Sequence, residues 1–144
     1  MILEPVDGKY LNQNAIKEIL TKHKIVAVVG LSNKPDRDSY SVANFMLKKG
    51  YQVFPVNPNC LKVFDIPCYP DLKRISEPVE LVDIFRKSEF IEPIVDEAIQ
   101  IGAKAIWMQL GVINEKAAEK ASKAGMKVVM DRCWKIEYIA HFGY

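Results

Sequence analysis

Short, almost wholly apolar runs alternate along this chain with longer stretches whose apolar residues recur every three or four positions. The runs cover residues 25–29, 51–56, 81–85, 105–109 and 128–131. They are rich in Val, Ile, Phe and Trp, and apolar on both faces, which predicts buried parallel strands. The helical period predicts a leading helix over 12–24, with Ile16, Ile19, Leu20 and His23 on one face. A second helix over 39–49 has Asp38 or Ser39 as N-cap, a Val42/Phe45/Met46 stripe and Gly50 after its end. A third, capped by Ser88 and tolerating Pro93 in its first turns, turns Phe90, Ile91, Ile94, Val95 and Ala98 to the core and stops at Gly102. Asn114 caps an alanine-rich fourth helix that stops at Gly125, and a last helix ends near Phe142. Residues 57–79 carry Pro58, Pro67, Pro70 and Pro78 and read as irregular, with an edge strand near 67–69 and one helical turn over 71–74. Strand–helix alternation at this spacing predicts one α/β domain over 1–144, a Rossmann-like doubly wound parallel sheet. The simplest strand order is 3-2-1-4-5, counting strands along the sequence.

The first strand ends in Gly30 and opens through residues 31–38 onto a helix. That is how an α/β domain holds a pyrophosphate: glycine admits the ligand to the backbone, and the helix N-terminus offers free N–H groups and partial positive charge. A glycine that only makes a tight turn would look the same. If the turn holds phosphate, valine at position 30 blocks the ligand and leaves the fold intact. Neither a dinucleotide fingerprint nor a Walker loop is present, because Ser32, Asn33 and Pro35 stand where further glycines are required. The second strand ends in Asn57, Pro58 and Asn59, without the carboxylate that holds a ribose in NAD sites.

The other strand ends add Phe85 and Arg86, then Gln109, Leu110 and Gly111, then Asp131, Arg132 and Cys133. Small, amide and basic groups thus gather on one rim, as a polyphosphate with a hydrogen-bonding tail requires. Lys34, Arg37 and Arg86 are the cations available to neutralise phosphate.

The totals are those of a globular chain: 144 residues, 49% hydrophobic, 26% charged, net charge +2. So small a charge, with no block of one sign, argues against nucleic acid. No apolar run reaches the roughly 20 residues of a membrane span. Residues 1–5 lack the basic start and apolar core of a signal peptide, so the expected compartment is the cytoplasm. Three cysteines at irregular spacing do not make a disulfide framework, although Cys60 and Cys68 are close enough in sequence to pair. No metal-ligand spacing is present. Ser32 is a poor hydrolase nucleophile, since Lys34 takes the place of the second elbow glycine. Trp107 and Trp134 stand in apolar periodic segments and read as packing residues.

Taken in order, Val28-Val29-Gly30-Leu31-Ser32 with Ser39 and Val42, Val56-Asn57-Pro58, Val82-Asp83-Ile84-Phe85-Arg86, residues 107–112 and residues 129–133 resemble the single-domain CoA-binding proteins. They are similar also to the CoA-binding domain of the succinyl-CoA ligase α subunit. The resemblance spans about residues 20–140. It implies that Gly30, Leu31, Ser32 and Asn33 meet the CoA diphosphate. Asn57 and Pro58 would border the adenosine, Phe85 and Arg86 would form another wall, and Gln109, Leu110 and Gly111 would border the coenzyme further on. The ligase works through a phosphohistidine from a second domain and needs a partner subunit. Neither His23 nor His141 matches that motif, so the expectation is a carrier, store or sensor of CoA or an acyl-CoA without chemistry of its own.

Two enzymatic alternatives stay open: an NAD(P)-dependent reductase, and a subunit of an acyl-CoA ligase completed by another chain. A homodimer, or a complex with another protein, is equally open. Cys133 follows a strand end and precedes a helix, with Arg132 adjacent, a setting in which reactive thiols occur. It reads either as a partner for the CoA thiol in a mixed disulfide or as a small packed residue.

Overall fold

The computed structural model describes residues 13–144. Residues 1–5, read above for a leader, and Asn12, the expected start of the first helix, lie outside the described residues. The helices are α1 (Gln13–Lys22), α2 (Asp38–Lys48), α3 (Ile91–Gln100), α4 (Glu115–Lys123) and α5 (Trp134–Phe142). The strands are β1 (Ile25–Val29), β2 (Gln52–Val56), β3 (Lys62–Val63), β4 (Ile66–Pro67), β5 (Leu81–Ile84), β6 (Ala105–Met108) and β7 (Lys127–Met130). Five of these strands make one parallel sheet, ordered β2-β1-β5-β6-β7, while β3 and β4 form a small antiparallel hairpin.

Successive residues of each strand point to opposite faces, and both faces are buried. Val26, Val28, Leu81, Ala105, Trp107 and Val129 pack against α1, α2 and α5. Ala27, Val29, Val82, Ile84, Ile106 and Met108 pack against α3 and α4. This is the doubly wound Rossmann-like architecture expected from the alternation of periods.

The strand order differs from the expected one. β5, third of the main strands along the chain, lies beside β1 and not outside β2. The physical reason is Pro55. In β2 the amide of Gln52 donates to Lys24 O, and Val56 O accepts from Gly30 N–H, so alternate residues face β1. Pro55 belongs to the other set and faces outward, where it has no N–H to offer an inner neighbour. Its carbonyl instead accepts from Tyr69 N–H at 2.8 Å, and the Asn57 amide donates to Tyr69 O at 2.9 Å. The segment after the hairpin thus closes this edge with a single bridge, and the fifth strand crosses to the free side of β1.

Three smaller expectations are also corrected. Arg37 occupies the N-cap of α2 without a side-chain cap bond, and Asp38 begins the helix. Ser39 is not the cap either, for its hydroxyl accepts from Ser32 N–H at 3.0 Å. Ser88 opens a 3-10 turn, and its hydroxyl accepts from Ile113 N–H. That turn carries Phe90 outward, so Phe90 is exposed where a core position was expected. The Asp71 turn and the Asn114 cap form as expected, each side chain accepting a backbone N–H three residues on.

One polar residue lies inside the sheet. Asp83 stands in register between Val28 and Trp107, fully buried, and neither carboxylate oxygen has a hydrogen-bond partner. Burial favours the neutral acid and pushes its carboxyl well above the usual range, opposed by the Ile84 backbone amide, which favours the carboxylate. An unfolded aspartate ionises near pH 4, whereas the folded one keeps its proton to higher pH. Between those two pKa values the native state binds more protons than the unfolded state, so stability falls as pH rises. Asp83→Asn keeps the shape without the titration. Urea denaturation from pH 4 to pH 8 is expected to show the wild type losing stability relative to Asp83→Asn as pH increases; parallel curves would contradict the neutral buried carboxyl.

Candidate functional site

The five parallel strands end level. Val56, Val29, Ile84, Met108 and Met130 form one row across the sheet. The residues that follow them, Asn57, Gly30, Phe85, Gln109 and Asp131, therefore emerge on a single rim. These are the strand-end positions singled out above, and the sheet brings them together.

Gly30 is held by its neighbours. Its φ is +87°, and a Cβ placed there would lie 2.5 Å from Phe85 O and 3.1 Å from Arg86 Cδ. Its own N–H donates to Val56 O at 2.8 Å and so is not free for a ligand. Valine at this position would collide with backbone, so it disturbs the fold itself, contrary to the expectation above. The loop beyond is also organised from within. The Ser39 hydroxyl accepts from Ser32 N–H, the Ser32 hydroxyl accepts from Lys34 N–H, and Asn57 Nδ2 donates to Leu31 O. Leu31 is fully buried and offers only its backbone to the rim. In this loop the amides of Leu31 and Asn33 have no hydrogen-bond partner among the described residues, and the N–H groups of α2 before Ser41 precede its first intrahelical bond. The side chains of Asn33, Lys34 and Arg37 are exposed beside them.

A cleft of about 510 Å³ opens along the rim. Phe85, Arg86, Gln109, Leu110, Gly111 and Cys133 line it, all expected site residues. So do Asp38, Ser41, Val42, Lys87, Val112, Lys135 and Ile136, none of which the sequence reading placed among the site residues. Lys87 was legible as the second cation after β5; the α5 residues were not, because only the packed helix shows which side faces the rim.

A smaller hollow of about 150 Å³ lies on the α3 side, between Pro58, Pro70, Asp71, Ile94 and Glu97. Arg86 lines both spaces, and its guanidinium lies 5.2 Å from the Phe90 ring centre. Asn33 and Cys60 instead line a third, open depression against the β3–β4 hairpin.

The far wall is fixed by hydrogen bonds between strand ends and loops. Asp131 adopts a left-handed φ of +63°, and its carboxylate accepts from Gly111 N–H at 2.7 Å. Trp107 Nε1 donates to Arg132 O, and Gln109 Oε1 accepts from Trp134 N–H. Cys133 is the half-buried N-cap of α5. Cys60 and Cys68 are free thiols, and burial together with the adjacent Cys60 thiol pushes Cys68 up to about 12. His23 is buried before β1, at the opposite end of the sheet, and His141 pairs with Gln13. Neither histidine lines the cleft. Among the described residues no cluster of three His, Cys, Asp or Glu side chains is placed to hold a metal, and no helix is long and apolar enough to cross a membrane.

Comparison with known proteins returns the same architecture. A family model described as a CoA binding domain matches residues 24–139. The uncharacterized protein YneT of Bacillus subtilis (strain 168) is 38% identical over 123 residues, covering 85% of this chain and 91% of YneT. The structure of a hypothetical protein from Pyrococcus horikoshii OT3 is 39% identical with a TM-score of 0.89, covering 97% of each chain. An ADP-forming acetate–CoA ligase, form II, of Archaeoglobus fulgidus is 26% identical over 117 residues; the match takes in 73% of this chain but 17% of the ligase.

The two rim glycines separate steric from conformational demand. Gly30→Ala meets the Phe85 carbonyl at once, whereas at Gly111, with φ +85°, a Cβ meets nothing within 4 Å. Gly111→Ala is expected to cost about 1 kcal/mol for the left-handed backbone, and Gly30→Ala at least about 2 kcal/mol more. Urea titration of both variants measures this, and equal losses would show that the Phe85 contact is not what requires glycine.

Proposed function

This chain belongs to the CoA-binding domain family, and we propose that it binds coenzyme A or an acyl-CoA along the rim, as a carrier, store or sensor without chemistry of its own. The observation that carries this reading is that Arg86 lines both spaces. CoA is a long ligand, with a nucleotide at one end, a diphosphate in the middle and a flexible thiol arm at the other. The hollow between Pro58, Pro70 and Asp71 receives the adenosine, with Asn57 holding the loop beside it. The diphosphate lies over the Leu31 and Asn33 amides and the start of α2, where unpaired donors and the helix dipole favour an anion. Arg86, reinforced by Arg37 and Lys34 at the outer edge, supplies the opposing charge. The arm then runs into the larger cleft past Phe85, Gln109, Leu110 and Gly111 toward Cys133. Ser39 supports this site from behind by fixing Ser32, and does not touch the ligand.

In this reading the whole chain serves as one binding unit in the cytoplasm, and its partner in solution is the small molecule. An NAD(P) reductase is less well supported. At the end of β2 stands Asn57, whose side chain is already committed to Leu31 O and Asn59 N–H. The partial match to an acetate–CoA ligase favours a second reading, in which the chain is the coenzyme-holding piece of a ligase completed by another subunit. Copurification of a chain that confers acyl-CoA formation would support it.

Thermal denaturation with CoA, acetyl-CoA, NAD, NADP and ATP at equal concentration tests the main reading. At one hundred times Kd a ligand stabilises by about 2.7 kcal/mol, or roughly 5–10 °C for a chain of this size. CoA and acetyl-CoA are expected to give that shift, and a larger shift with NAD would overturn the assignment. Arg86 is exposed and has no ion pair among the described residues, so Arg86→Ala is expected to leave the melting temperature unchanged. Calorimetry of that variant is expected to show about a tenfold or greater loss of CoA affinity.

A further inference from the structure

The 510 Å³ cleft along the rim has a substantial apolar lining. Its natural polar wall, the loop after β6, directs its hydrogen bonds into the protein. Gln109 Oε1 accepts from Trp134 N–H at 3.0 Å, and the Gln109 carbonyl accepts from Val112 N–H at 2.8 Å. The Gly111 amide donates to Asp131 at 2.7 Å. What the loop presents outward is the side chain of Leu110, 62% exposed. On α5, Ile136 lines the same cleft and is 58% exposed. Phe85, Val42 and Val112 continue the apolar surface between them. Asp38, Ser41, Arg86, Lys87 and Lys135 also line the cleft, Lys135 donating to the Ser41 hydroxyl at 3.3 Å. The two large aliphatic side chains left open on the loop after β6 and on α5 fit a ligand with a hydrocarbon end.

We propose that this cleft holds the hydrocarbon chain of a straight-chain acyl-CoA thioester, and that Leu110 and Ile136 set a preference for acylated over free coenzyme. The inference rests on the CoA reading above. It adds that the cleft beyond the diphosphate is selective for the cargo and is not merely a channel for the arm. The chemistry is desolvation alone: each methylene buried between the two side chains gains the ordinary hydrophobic increment, and no bond is made or broken.

Calorimetric titration with CoA, acetyl-CoA, butyryl-CoA, hexanoyl-CoA and succinyl-CoA tests it. Affinity is expected to rise about two- to fourfold for each methylene added. Hexanoyl-CoA then binds at least about tenfold tighter than acetyl-CoA, and succinyl-CoA binds more weakly than butyryl-CoA. Ile136→Asn and, separately, Leu110→Asn are expected to lower the hexanoyl-to-acetyl affinity ratio by about threefold or more. That ratio is read within each variant, so a general loss of binding does not imitate the effect. A series that is flat in chain length while CoA still binds overturns this inference and leaves the coenzyme reading standing, as does succinyl-CoA binding tightest. Failure of CoA and every thioester to bind overturns the coenzyme reading, and this inference falls with it.

Discussion

The contact between the backbone of Gly30 and the carbonyl of Phe85 governs the rim on which the site is built. It exists because β1 and β5 are neighbours whose ends coincide, Val29 against Ile84. Phe85 N–H then donates to Val29 O at 2.8 Å, while Gly30 N–H reaches the other way to Val56 O at the same distance. Three strand ends are thereby joined at one residue, in a conformation and a space that admit no side chain. Arg86 leaves β5 directly beyond this junction. Its stem crosses Gly30, and its head reaches the boundary between the cleft and the hollow.

Most polar groups near that junction are committed to one another. Asn57 ties the β2 end to the loop after β1, Ser39 ties that loop to α2, and Asp131 ties the β7 end to the loop after β6. A ligand meeting this rim finds a preorganised surface with few unpaired amides, exposed cations and an apolar cleft. Such a surface suits a flexible, highly charged ligand, because ordering falls mainly on the ligand and little of the protein has to be rearranged. Neither histidine lines the cleft, and Asp83 is fully buried within the sheet.

Much of this was legible in the sequence, and the reasons can be named. Apolar runs broken at helical period identify the strands and helices, because a sheet covered on both faces has to be apolar on both. That the residues after each run share one rim was legible too, since parallel strands all deliver their ends to one side. Family resemblance along the same segments then pointed to CoA, in line with the match over residues 24–139. Pro55 carries information that puts β2 at the edge, because a residue without N–H cannot serve an inner neighbour.

Local pattern determined which segments become strands, which residues follow them, and that a glycine must end the first one. It did not determine whether Gly30 is there for a ligand or for Phe85, because that depends on which strand lies alongside, a contact between residues more than fifty positions apart in the chain. Nor did it reveal that Leu31 is turned inward, that Asn57 is fully engaged, or that Ile136 shares a cleft with Leu110. Periodicity says that a helix has a buried face; it does not say what its exposed face borders. Only the packing of α5 against α1 and α2 decides that, since proximity there is set by the whole layer and not by any segment of it.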